Sequence, residues 1–326
     1  MARFRGLLQW AYIICILVVS GCGVHHAYVG PPLFNKPVEL VDTSFFPQKK
    51  YQCGPAALAT VLQSSGIYVP PDALASQVYL PGRKGSLQAE IMAATRGYGR
   101  LPYQIEGTLA ALIAELEAGR PVLVLQDYGL AGLRMYHYAV VVGGMENTFI
   151  LRSAGEKRLF VETDDFLRTW KRAGYWGMVV LQPGQFPATL DREKYLAVAA
   201  SLEGAGKLKP AALCYQALLS RWPAYDDALF GLATVRLALH RYQEAIELYR
   251  QLLMRDDDNP AAINNLAEAL AATGRVHQGV QELDRYLTDT DLSQRPFWEK
   301  TLRTTRSELQ QRLGEWNGQV LERTCP

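Results

Sequence analysis

Gln48-Lys49-Lys50-Tyr51-Gln52-Cys53-Gly54-Pro55-Ala56-Ala57-Leu58-Ala59 is the stretch whose reading decides the fold. A cysteine stands where irregular chain becomes an apolar helix, and Pro55 sits in the first helical turn, where a missing N–H costs nothing. Unpaired backbone N–H groups and the helix dipole stabilise an anion at such a position. They can lower a thiol pKa from about 8.5 into the range of roughly 3.5 to 7.5. The other reading of Cys53 is a buried core thiol that happens to start a helix.

Around this point an α+β domain can be read, running from about Val38 to Gln185. Apolar residues at Ala57, Leu58, Val61 and Leu62 give the first helix a core stripe that stops at Gly66. Further helices are expected over Asp72–Val78, Ser86–Arg96 and Leu109–Ala118, the last between Thr108 as N-cap and Gly119 as stop. The period then drops to 2. Pro121–Gln126, His137–Gly143, Thr148–Arg152, Arg158–Val161 and Trp176–Leu181 read as strands of an antiparallel sheet, interrupted by a helix over Asp164–Arg172.

His137 is the single histidine of this domain and heads the strand Tyr138-Ala139-Val140-Val141-Val142-Gly143-Gly144. An activated thiol needs a base, and near pH 7 nothing else here supplies one. Gln48, then Cys53-Gly54-Pro55-Ala56-Ala57-Leu58 opening a helix, then His137-Tyr138-Ala139-Val140-Val141-Val142-Gly143 some 84 residues on, resembles the bacteriocin-processing, double-glycine leader peptidases. Those are papain-like cysteine peptidases. The resemblance covers about residues 45 to 181, and its Cys-Gly-Pro piece also opens helices in related papain-like amidases and transglutaminases.

The resemblance implies Cys53 as nucleophile, His137 as general base and acid, and Gln48 as the side chain helping to form the oxyanion hole, with Gln52 its competitor. It implies amide-bond hydrolysis, or amide transfer by the same residues, with no cofactor or metal. The family's third residue is an Asp or Asn after the next strand; in Ile150-Leu151-Arg152-Ser153-Ala154-Gly155 that place is held by Ser153. A serine can orient an imidazole but cannot stabilise its cation by charge. Asp127, Asp164 and Asp165 are the nearest acidic alternatives, none with the family's spacing.

Upstream, Arg3 and Arg5 precede an apolar run over Leu7–Val19, the length of a signal-peptide core. Its ending, Val19-Ser20-Gly21-Cys22, resembles the lipobox of bacterial lipoproteins, which implies cleavage after residue 21 and a lipid on Cys22; an uncleaved helical anchor is the alternative. Gly23 after the cysteine leans towards the outer membrane. The expectation is a bacterial envelope protein, anchored on the periplasmic side through a Pro- and Gly-rich tether over residues 22–37. His25 and His26 fall in this spacer.

With Cys15 in the signal and Cys22 lipidated, Cys53, Cys214 and Cys325 remain, without a CxxC or Cys/His spacing, so neither a disulfide framework nor a zinc site is indicated. A net charge of +2 gives no basic surplus for nucleic acid.

Past Pro183-Gly184-Gln185-Phe186-Pro187 the period is helical throughout. Ala199, Ala233 and Ala267 are spaced by 34, as are Ala211, Ala245 and Gly279, then Tyr215, Tyr249 and Leu283, then Leu219, Leu253 and Leu287. This resembles tetratricopeptide repeats: three over 191–292, with a capping helix and tail over 293–326. The repeats imply a groove for a peptide or protein partner, with Leu196, Phe230, Asn264 and Glu268 on it; a packing support for the first domain is the other reading. Cys214 is expected in the core, and His240 and His277 at repeat turns.

Overall fold

The computed structural model describes residues 32–130 and 132–324, with the side chains of the closing helix described to residue 314. The signal, Cys22, the first part of the tether and Cys325 lie outside the described residues. No helix among the described residues is long and apolar enough to cross a membrane.

The domain is α+β, as the change of period predicts. Strand β1 (Phe34–Glu39) is followed by helices α1 (Cys53–Ser64), α2 (Pro71–Val78) and α3 (Gln88–Gly97), with a short 3-10 turn over Pro81–Arg83. Then come β2 (Leu101–Gln104), α4 (Leu109–Glu117), β3 (Val122–Asp127), β4 (Tyr136–Glu146), β5 (Thr148–Ser153), β6 (Glu156–Glu162), α5 (Thr163–Arg172) and β7 (Gly177–Leu181). One seven-stranded antiparallel sheet runs β2-β7-β3-β4-β5-β6.

Strand β1 attaches to the far half of β4, with Val38 opposite Gly144 and Glu39 opposite Gly143. A Cβ on Gly143 would lie 2.0 Å from the Val38 carbonyl oxygen, and one on Gly144 2.2 Å from the Phe34 ring. The two glycines admit β1, which corrects the reading of residues 22–37 as tether throughout. Pro37 is tolerated within β1 because the strand pairs along only one side. Strand β2 was also not expected, because four residues including Pro102 are too few to show alternation.

Strand β3 shows why the sheet is a middle layer. Leu123 and Leu125 face a core made by Leu58, Val61 and Leu62 of α1 and Ile91 of α3, whereas Val122 and Val124 face Leu112 of α4, Phe166 and Trp170 of α5 and Tyr195 beyond the domain. Helix α1 is wedged against the sheet with every residue from Gly54 to Leu62 buried, so its apolar surface is broader than a stripe.

The helical half follows as pairs α6/α7 (Arg192–Gly204, Leu208–Arg221), α8/α9 (Asp226–Ala238, Tyr242–Leu253) and α10/α11 (Pro260–Ala272, Val276–Asp289), closed by α12 (Pro296–Thr324). Ala199, Ala211, Ala233, Ala245 and Ala267 are all fully buried, the small residues that let paired helices approach. At the equivalent of Ala211 and Ala245, Gly279 is tighter still: a Cβ there would meet the Ala267 carbonyl at 2.8 Å.

The first repeat is continuous with the second face of the sheet. Phe186 stacks on Tyr195 at 4.8 Å, the Asp191 N–H donates to the Tyr103 hydroxyl at 3.1 Å, and the Ala188 N–H donates to the fully buried Glu115 carboxylate at 2.8 Å. Asn264, expected on an open groove, is instead buried and accepts a hydrogen bond from Thr305 of α12 at 2.7 Å. Cys214 is buried as expected.

Candidate active site

The site is assembled from a helix start, a strand start and the loop before the helix. No side chain caps α1, so the N–H groups of Cys53 and Gly54 keep no intrahelical partner, and Pro55 has none to satisfy. Gly54 is required here by close approach: a Cβ would fall 2.3 Å from Ser86 Oγ and 2.6 Å from Ser86 Cβ.

His137 enters at the head of β4, opposite Gln126 of β3. Its Nε2 lies 2.9 Å from Ser153 Oγ. The edge of the Tyr128 ring stands against the imidazole at 5.9 Å between centroids, and the Tyr128 hydroxyl donates to Gln126 Oε1 at 3.0 Å. Sequence reasoning missed Tyr128, which follows β3 as a lone aromatic with no motif around it.

Gln48 is fixed by the turn that carries Ser153. Its backbone N–H donates to the Ala154 carbonyl at 3.1 Å and its side-chain amide to the Tyr138 carbonyl at 3.3 Å. Behind it, the buried Arg152 donates through Nε and a terminal nitrogen to the Thr43 carbonyl, both at 3.3 Å, and through the other terminal nitrogen to the Lys157 carbonyl. One arginine thus ties the loop bearing Gln48 to the β5–β6 hairpin bearing Ser153. An arginine within a strand pattern reads as solvent-facing, so it gave no signal.

Gln48, Cys53 and His137 line one cavity of about 620 Å³, together with residues of the 3-10 turn and of the β3–β4 loop. Gln52 lines a separate cavity of about 200 Å³ beside Phe46 and Pro71, and its Oε1 is buried without a partner. Of the two glutamines, Gln48 shares the space with the thiol. Asp127 is committed elsewhere: it accepts from the N–H groups of Gly129 and Met135 and from Arg134, which holds its carboxyl down at about 2. Asp165 pairs with Arg168.

The electrostatics differ from the expectation of an acidic thiol. Burial pushes the Cys53 thiol above its ordinary value; the N–H groups of Tyr138, Gly54 and Cys53 pull it down but do not outweigh the desolvation. Burial also holds the His137 imidazole below its ordinary value. Both shifts favour the neutral forms of the thiol and the imidazole that line this cavity. Among the described residues no group of three or more His, Cys, Asp or Glu side chains could hold a metal ion.

Residues 40–178 match the Peptidase_C39 like family. Residues 196–260 and 236–295 match tetratricopeptide repeat models. The chain therefore carries a C39-peptidase-like α+β domain followed by tetratricopeptide repeats. Among solved structures, a C39-like peptidase from Bacillus anthracis is 16% identical, covering 45% of this chain and 98% of its own, with a TM-score of 0.39. The type III secretion translocator chaperone SycD of Yersinia enterocolitica is 19% identical over 37% of this chain and 85% of its own, with a TM-score of 0.35. A tetratricopeptide protein of Thermus thermophilus is 21% identical over 39% of this chain and 69% of its own, with a TM-score of 0.34. No curated protein matches the chain.

Proposed function

We propose that the protein is a cysteine peptidase that hydrolyses a peptide bond of an exported peptide or protein. The observation that carries this reading is the shared cavity of Gln48, Cys53 and His137, with His137 Nε2 at hydrogen-bond distance from Ser153 Oγ.

The starting state is neutral. As the Cys53 sulfur attacks the scissile carbonyl, His137 takes the thiol proton, and the imidazolium then gives it to the leaving amine. The N–H of Cys53 and the second amide hydrogen of Gln48 receive the oxyanion, each donor contributing about 3 kcal/mol in comparable sites. Water attacks the thioester with His137 again as base, releasing the acid product and the thiol. Ser153 holds the ring through this cycle but leaves its positive charge uncompensated.

The repeats recruit a protein substrate or partner, and their first pair also supports the sheet. Lipidation of Cys22 would tether the enzyme on the periplasmic side of a bacterial membrane, the outer one by the residue that follows. The test is digestion of a complex peptide mixture, read by mass spectrometry. New termini are expected with the wild-type chain and loss of at least a thousandfold in rate with Cys53→Ala or His137→Ala; cleavage that persists in Cys53→Ala contradicts the reading.

A second reading is a protein-binding scaffold that keeps the peptidase fold with little catalysis. The raised thiol and the uncharged Ser153 favour it. Under it, partners bind equally to the wild type and to Cys53→Ala, and no new termini form.

A further inference from the structure

The cavity around Cys53 is one-sided in charge. Among the described residues, Lys49, Arg83, Lys84 and Arg134 line it and no acidic side chain does. Two of the four are partly neutralised, Lys49 by Asp72 at 2.7 Å and Arg134 by Asp127 at 2.7 Å. Arg83 and Lys84 are exposed and form no ion pair among the described residues.

These two cations are held rather than free-floating. They sit on the turn Pro81–Arg83, which Lys84 closes with a left-handed backbone at φ 47. Leu80 and Gly85 bridge its base, with the Leu80 N–H donating to the Gly85 carbonyl at 2.8 Å. Lys84 stands 5.8 Å from the Tyr51 ring, which Lys50 meets at 5.3 Å, so a basic and aromatic rim runs from the turn to the segment before Cys53. Below it, Ser86 lines the same cavity, with its Oγ packed against Gly54.

We propose that the cleft selects polypeptide segments bearing acidic side chains beside the scissile bond, with Arg83 and Lys84 as the residues that set the preference. This rests on the hydrolase reading for its chemistry, though not for its binding. Fixed cations over a concave surface raise the local concentration of anionic segments, and the preference weakens with salt.

The experiment has two readouts on the full chain. In the first, matched peptides with Glu, Gln or Lys at the positions flanking one cleavable bond are compared by kcat/KM. The Glu peptide is expected to be cut at least tenfold faster than the Lys peptide at low salt. Arg83→Glu with Lys84→Glu should abolish that ratio, with the Gln peptide as the reference for any general loss of activity; both side chains are exposed, and a circular dichroism melt checks that folding is retained. Equal cleavage of the Glu and Lys peptides overturns the proposal, as does a uniform loss on all three.

In the second readout, labelled versions of the peptides are titrated against Cys53→Ala by fluorescence anisotropy. Tighter binding of the Glu peptide, lost in the charge-reversed variant, supports the preference even if no peptide is cleaved, in which case only the hydrolase reading fails. Absence of any Glu-over-Lys difference in binding overturns it. So does binding to vesicles of phosphatidylcholine with 30% phosphatidylglycerol that depends on Arg83 and Lys84 while the Glu peptide does not compete, since the basic rim would then face lipid.

Discussion

At the scale of single residues the site is a balance between burial and donated hydrogen bonds. Desolvation disfavours thiolate and imidazolium alike, raising the Cys53 thiol and lowering the His137 imidazole from their ordinary values. A base with a depressed pKa stays neutral further into acid, so kcat/KM should hold its plateau to lower pH than an ordinary imidazole allows. Alkylation of Cys53 by iodoacetamide should rise with a midpoint above that of an ordinary cysteine thiol; a rate already at its plateau at pH 6 would mean an ion pair instead. Ser153→Ala removes one hydrogen bond to the ring, worth about 0.5–1.5 kcal/mol, so kcat should fall roughly three- to tenfold with KM unchanged. Gly54→Ala drives a methyl onto Ser86 and should cost about 1–3 kcal/mol, read by denaturant unfolding.

At this scale the sequence was partly legible. Cys53 and His137 were legible as candidates because a helix start and a strand start each leave a pattern, and Gln48 through the family resemblance; all three line one cavity. Tyr128 and Arg152 were not, since a contact made across the fold leaves no period in the chain. The direction of the thiol shift was also hidden, because a helix N-terminus can be read from residues whereas the depth at which α1 is buried cannot.

Among the elements, the loop from residue 40 to 52 is ordered by neighbours rather than by itself. Arg152 alone ties its Thr43 carbonyl to the β5–β6 hairpin. Arg152→Ala leaves the buried Thr43 carbonyl without its donor and should destabilise the fold by about 1–3 kcal/mol. It should also lower kcat more than it raises KM, because Gln48 loses its position. A kcat unchanged at a lowered melting temperature would show that Gln48 is held by other contacts. The long strands β3 and β4 were legible from alternation and apolar runs. Strand β1 was not, because its pairing depends on Gly143 and Gly144 more than a hundred residues on.

For the whole molecule, the 34-residue period announced the repeats but not that the first of them completes the other domain. Tyr195, Ala199 and Leu202 of α6 belong to the same core as Leu101 and Tyr103 of β2. A chain ending at Gln185 should therefore aggregate or melt well below the full chain. One ending after α7 should keep most of the domain's melting temperature, since each buried apolar side chain regained is worth about 1.5–3 kcal/mol. Equal melting temperatures for the two truncations would make the first repeat an independent module.

The central claim is that one thiol, served by one imidazole, attacks amide carbonyls. Intact-mass measurement after exposure to a peptidyl acyloxymethyl ketone tests it most directly. The account predicts a single adduct on Cys53, absent in Cys53→Ala and slowed at least a hundredfold in His137→Ala, with Cys214 untouched. Labelling of Cys53 at an unchanged rate in His137→Ala, or no adduct at all on a folded chain, would contradict it.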